Sequence, residues 1–166
     1  MNGSEKIVID ITKSLANAGQ PQAFEGDFVL DDSLLPYPNA TLTKVSVNFD
    51  VTFVKPNVEV NGSITCVIDG SCDRCLGEAH KQIVLPFAQT FLKDECADDE
   101  YCYCGSKLDA SKAVEDEIIL SLPTILLCSD DCKGLCPKCG TNRNLSKCDC
   151  DLNKENVFSQ LKNLKF

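Results

Sequence analysis

The chain has 166 residues, a formal charge of −9 and a hydrophobic fraction of 43%, enough for one domain of ordinary core size with an appended module. No stretch approaches the roughly 20 apolar residues of a membrane span, and the acidic balance argues against a general phosphate-binding face. The start, Met1-Asn2-Gly3-Ser4-Glu5-Lys6, lacks a basic region followed by an apolar run, so no secretory signal is expected. In a reducing cytosol, the twelve cysteines then point to metal ligation rather than to disulfides.

Residues 6–11 (KIVIDI) alternate and are rich in β-branched side chains, which predicts a first strand. A helical turn or loop over 12–19 ends at Gly19 and Pro21, and 24–30 alternate again with Phe24, Gly26, Phe28 and Leu30 on one face. Pro36 and Pro38 break the pattern over 31–39. The longest β-like stretch is 41–54, with Val45, Val47, Phe49, Val51 and Phe53 on one face and polar residues on the other. Pro56 and Asn57 turn the chain, and 58–69 run back as the second arm of a hairpin, where Gly62 marks a bulge or a bend. Residues 79–92 form another β-rich run, in which Pro86 signals an edge position or a break. Five acids in the seven residues 94–100 predict a solvated loop.

A helix is expected over 108–122, capped by Asp109 or Ser111 and stopped by Pro123. Ala110, Val114, Ile118 and Leu122 line one face with Ile119 beside them, and Glu115, Asp116 and Glu117 read as a solvated flank rather than a catalytic cluster. A second amphipathic helix over 153–164 presents Val157, Phe158, Leu161 and Leu164 for docking on the sheet. The expected fold is α+β: an antiparallel sheet or partly closed barrel packed with two or more helices, plus a C-terminal cysteine-rich knuckle module. The divisions are a body over 1–127, a zinc-binding module over 128–150 and a docking helix in 151–166.

The module reads C-x3-C-x3-C-P-K-C-G-x7-C-D-C from Cys128 to Cys150. Cys136-Pro137-Lys138-Cys139-Gly140 has the form of a zinc knuckle, in which two thiolates on a tight turn hold one side of a tetrahedral ion and glycine lets backbone amides face the sulfurs. Cys148 and Cys150 supply the second pair, giving the first-choice quartet Cys136, Cys139, Cys148 and Cys150 around one structural zinc. Cys72-x2-Cys75 has no local partner pair. Either it joins Cys128 and Cys132 in a second zinc site, or it is a redox pair with a depressed thiol. Cys66 is most simply a small core residue, and Cys102-x-Cys104 is a weaker metal candidate. With His80 the single histidine, hydroxyl- or thiol-nucleophile systems have little to work with, and an all-thiolate site is closed and structural. Lys133, Lys138, Arg143 and Lys147 outnumber Asp130, Asp131 and Asp149 in the module, leaving it at +1 against an acidic body. This suits a basic protein partner, with weak phosphate contact at the tip.

Several segments are similar to the YceD family, the large ribosomal RNA subunit accumulation proteins. They are Cys72-Asp73-Arg74-Cys75-Leu76 after a hairpin, the run VEDEIILSLP over 114–123, CKGLCPKCG over 132–140 and FSQLKNL over 158–164. Arg143 departs from the pattern, standing where an apolar residue is expected, and Cys102 and Cys104 fall in a variable region. The resemblance implies a non-enzymatic factor for accumulation of large-subunit (23S) ribosomal RNA, partnered by a ribosomal protein or precursor particle of the large subunit, and the lack of a transit peptide leads to the expectation of a cytoplasmic protein. The competing readings are a zinc-stabilised protein-interaction adaptor unrelated to ribosomal RNA, and an enzyme, either a thiol oxidoreductase through Cys72 and Cys75 or a metallohydrolase.

Overall fold

The computed structural model describes residues 6–32, 35–37, 39–94 and 100–150. The predicted helix over 153–164 and most of the acidic run over 94–100 lie outside them. The fold is α+β. In chain order the elements are β1 (Val8–Asp10), α1 (Thr12–Ala16), β2 (Gln22–Phe28), β3 (Ala40–Val54), β4 (Asn57–Ser71), β5 (Glu78–Lys93), β6 (Tyr101–Tyr103), β7 (Lys107–Asp109) and α2 (Ser111–Ser121).

Five strands form one sheet in the order β2-β3-β4-β5-β6, antiparallel except for the short β5–β6 pair, and β1 and β7 make a second, two-stranded sheet. Among the described residues β2 and β6 do not pair, so the sheet stays open and the barrel alternative is not realised. Alternation governs its inner face: Val45, Val47, Phe49 and Val51 of β3 are buried, as are Val58, Val60, Ile64, Cys66 and Ile68 of β4. Each fully buried side chain of this size stabilises the fold by about 1.5–3 kcal/mol. Ile7, Ile9 and Ile11 bury the alternating face of the first segment on the same core.

Gly62 does not mark a bulge. Its register runs unbroken, opposite Phe49 on one side and Phe87 on the other, and the irregularity in the hairpin falls between Leu42 and Lys44. Gly62 is instead a point of close approach, since a Cβ there would lie 2.0 Å from the Asn48 carbonyl oxygen. The rings of Phe49 and Phe87 stack across it with centroids 4.7 Å apart. Pro86 lies on the reach of β5 that has β4 on one side and no strand of the described residues on the other, where a missing N–H breaks no ladder.

The helix expected over 108–122 is shorter. Residues 107–109 pair with β1 instead, because Leu108 buries its side chain from a strand as readily as from a first helical turn. Asp109 accepts the Ser111 N–H at 3.0 Å, while the Ser111 hydroxyl accepts the Ile7 N–H at 2.8 Å. Ala113, Val114, Ile118 and Leu122 face the core, whereas Ile119 turns to solvent. The acidic flank is half-buried rather than fully solvated: Asp116 accepts the Tyr101 hydroxyl at 2.9 Å and Glu117 that of Ser121 at 2.6 Å. The helix returns the chain to the end of β4, where the cysteines gather.

Candidate metal centres

Strand β4 ends at Ser71 and runs directly into the first CxxC turn. The Cys72 N–H donates to the Gly77 carbonyl at 2.8 Å, and the Leu76 N–H to the Cys72 carbonyl at 2.9 Å. The second CxxC turn repeats this pattern: Cys136 N–H to the Thr141 carbonyl at 2.8 Å and Gly140 N–H to the Cys136 carbonyl at 2.9 Å. Both turns need a left-handed residue one place after the second cysteine. Gly140 takes it at φ 72°, as its missing Cβ allows, and Leu76 takes it at φ 58°. The two knuckles are therefore one backbone motif used twice.

The residues inside the first knuckle hold the C-terminal segment against the body. The Asp73 N–H donates to the Leu126 carbonyl at 2.8 Å, and the Asp73 carboxylate accepts the Leu126 N–H at 2.6 Å. Arg74 donates through Nη1 to the Cys132 carbonyl at 3.2 Å and accepts the Leu135 N–H at 3.0 Å. Gly134, at φ 69°, passes so near that a Cβ there would lie 2.9 Å from the Arg74 carbonyl oxygen.

These clasps bring Cys128 and Cys132 to Cys72 and Cys75, and the sulfurs of the four lie within 4.8 Å of one another. Cys72 and Cys132 Sγ are 3.7 Å apart, as are those of Cys75 and Cys128. A disulfide needs about 2.05 Å. Four thiolates at about 2.3 Å from a tetrahedral ion sit about 3.8 Å from one another, so the spacing fits a metal. Cys136, Cys139, Cys148 and Cys150 make a second quartet within the same limit. Both sets named from the spacing are thus gathered, each as a cage able to hold a metal ion. Cys72, Cys75, Cys132 and Cys136 are buried, Cys128 and Cys139 exposed, and Cys148 and Cys150 half-buried.

The thiols divide by environment. Burial pushes Cys72 up, but the backbone N–H groups of Cys128, Arg74 and Cys75 outweigh it and hold the thiol at about 6. Burial likewise opposes Cys132, which the Asn144 side-chain amide and the Gly134 N–H bring below the usual thiol range. In the second quartet the Thr141 hydroxyl, 3.1 Å from Cys139 Sγ, and then the Thr141 N–H hold Cys139 at about 6. The N–H groups of Cys139 and Lys138 lower Cys136. The partners move the other way. Cys128 is pushed up to about 12, first by the neighbouring Cys132 and Cys75 thiols, and Cys150 to about 12, first by Cys139. Cys148 also rises, chiefly through Cys136. Each cage thus sets lowered thiols beside raised ones, and a cation bound by all four sulfurs would release the remaining protons.

The depressed Cys72 thiol is what a redox pair would use. Cys72 is fully buried and faces Cys132, however, whereas reactive cysteines sit in partly exposed, electropositive surroundings. Cys66 is a core residue, its thiol pushed up to about 11 by burial. Cys102 and Cys104 belong to neither quartet, and Cys102 is disulfide-bonded, which departs from the expectation of metal ligation rather than disulfides. His80 is exposed and paired with Asp69, and it belongs to neither cage. Lys133, Lys138, Arg143 and Lys147 are all exposed on the module. The supporting roles of Asp73, Arg74, Thr141 and Asn144 carry no spacing signal. No helix of the described residues is long and apolar enough to cross a membrane.

No solved structure matches the chain. It is 28% identical over 163 residues to a protein of Arabidopsis thaliana named "Large ribosomal RNA subunit accumulation protein YCED homolog 1, chloroplastic", a match covering 78% of this chain and 50% of that one. The maize (Zea mays) protein of the same name is 26% identical over 155 residues, covering 72% of this chain and 53% of its own. An uncharacterised protein of Mycobacterium tuberculosis is 27% identical over 103 residues, covering 58% of this chain and 50% of that one. The chain spans about half the length of the curated relatives it matches. The model of the family described as "Large ribosomal RNA subunit accumulation protein YceD" matches residues 60–165, a stretch that holds most of β4, all of α2 and all eight sulfurs of the two cages, and the chain belongs to that family.

Proposed function

We propose that the chain is a non-enzymatic ribosome-biogenesis factor that acts in the cytoplasm and supports accumulation of large-subunit (23S) ribosomal RNA, with structural zinc in its thiolate cages. The observation that carries this reading is the family match over residues 60–165, which includes both quartets. Four-sulfur cages suit zinc among the common divalent ions, and a site with four protein ligands leaves no open position for a substrate or an activated water. That favours a folding role over catalysis. The partner is a ribosomal protein or precursor particle of the large subunit. The acidic body suits a basic protein, and Lys133, Lys138, Arg143 and Lys147 offer weak contact to ribosomal RNA phosphates.

The test is the ratio of large- to small-subunit ribosomal RNA in cells depleted of the protein. A selective fall of the large-subunit RNA is expected, and an unchanged ratio overturns the ribosomal reading. Metal analysis of protein purified in reductant without chelator tests the zinc separately, with up to two ions per chain expected.

A further inference from the structure

The loop that closes the second cage is built into the first. Asn144, between Cys139 and Cys148, donates through Nδ2 to Cys132 Sγ at 3.2 Å. Its Oδ1 accepts the Lys133 N–H at 2.8 Å, and its own N–H is fixed by Asn142 Oδ1 at 3.0 Å. The adjoining Arg143 N–H donates to the Gly134 carbonyl at 3.0 Å, and Leu135 and Asn142 form an antiparallel bridge. Residues 132–136 and 141–144 therefore run as one short ladder between the cages, with a ligand of the first at one end and the second knuckle at the other.

We propose that the two cages bind their ions as a coupled pair, with Asn144 as the positioning residue that transmits occupancy of the second cage to the first. This rests on the metal reading of the quartets given above. The loop carrying Asn144 is held at both ends by second-cage ligands, Cys139 before it and Cys148 after it. When that cage is filled, the loop is closed and the amide N–H stands ready for the Cys132 thiolate. When it is empty, the loop must be ordered at the moment the first ion binds, which weakens that ion. Partners of this kind, hydrogen-bonded to a ligand, typically change metal affinity 10- to 100-fold on removal. The coupling is reciprocal, so filling the first cage strengthens the second by the same factor.

The test uses the full chain, stripped of metal under reductant and titrated with Zn2+ or Co2+. The Leu76 and Gly140 amide resonances report the two cages separately, and the thiolate-to-cobalt absorption counts sulfur ligands. In the Cys148→Ser/Cys150→Ser variant, the affinity of the first cage is expected to fall about 10-fold or more. Asn144→Asp keeps the acceptor for the Lys133 N–H but removes the donor to sulfur, and it should weaken the first cage similarly while two ions still bind. Combining the three changes should add little to the double variant. A first cage that binds within about two-fold of the native affinity in both the double variant and Asn144→Asp overturns the coupling. Failure of the native chain to take up either ion is a different result. It removes the metal reading itself, and the coupling with it.

Discussion

Asp73 and Leu126 exchange two hydrogen bonds, one from each backbone N–H, at 2.8 and 2.6 Å. Asp73 sits between two ligand cysteines on the strand side, and Leu126 is a buried residue just ahead of Cys128. The pair fixes the distance at which the two halves of the first cage meet.

Asp73→Ala should cost about 1–3 kcal/mol, because the Leu126 N–H loses a charged acceptor in a part-buried setting. The same change should hasten loss of the first ion to a chelator. Asp73→Asn, which keeps an acceptor oxygen, should recover much of both. Urea unfolding with and without chelator separates the two effects.

Leu76→Gly should stabilise the protein by about 0.5–1 kcal/mol, since a left-handed leucine costs more than the extra freedom glycine has when unfolded. The opposite exchange in the twin knuckle, Gly140→Leu, should destabilise it by a similar amount, about 0.5–1 kcal/mol. Leu76 is 71% exposed, so its side chain contributes little packing to confuse the comparison. Thermal unfolding of the two variants is expected to move in opposite directions.

How much of this was legible in the chain depends on the range of the cause. The period-two run from Val45 to Phe53 announces β3 because alternation is local, and the eight cage cysteines are named by spacing because a tetrahedral cage demands pairs. Leu108 is different. A three-residue strand and the first turn of a helix both bury it, and only β1, some hundred positions away in sequence, decides between them. Gly62 reads as a bulge until Phe49 and Phe87 are seen to flank it. Asp73, Arg74 and Asn144 act through partners that the fold alone brings near, so no local pattern discloses them.

Gly62→Ala should lower stability by about 3 kcal/mol, because the new methyl would meet the Asn48 carbonyl and force β3 and β4 apart beneath the Phe49–Phe87 stack. A loss of under about 1 kcal/mol in urea unfolding would mean that the strands shift freely to admit it.

The buried Cys66 thiol carries a pH dependence with a definite sign. Burial pushes it up from 9.0 to about 11, so above pH 9 the unfolded chain releases this proton while the folded one keeps it. The stability it supports is full below about pH 9 and is lost as pH rises through about 11. The loss is of the order of 2 kcal/mol. Cys66→Val removes the titrating group in a near-isosteric way. Its urea midpoint should fall less than that of the native chain between pH 8 and pH 11.

The distances along the chain spanned by the two cages have a kinetic consequence. Fifty-two residues separate Cys75 from Cys128, whereas eight separate Cys139 from Cys148. Closing the longer span as a flexible loop costs about 1.5 kcal/mol more in chain entropy, a cost that falls once β5 and α2 within it have formed. The inner cage is thus a local chelate that can form as soon as its own residues exist. The outer one is a contact of high order, a clasp that shuts only after the body has folded and then locks its last helix in place.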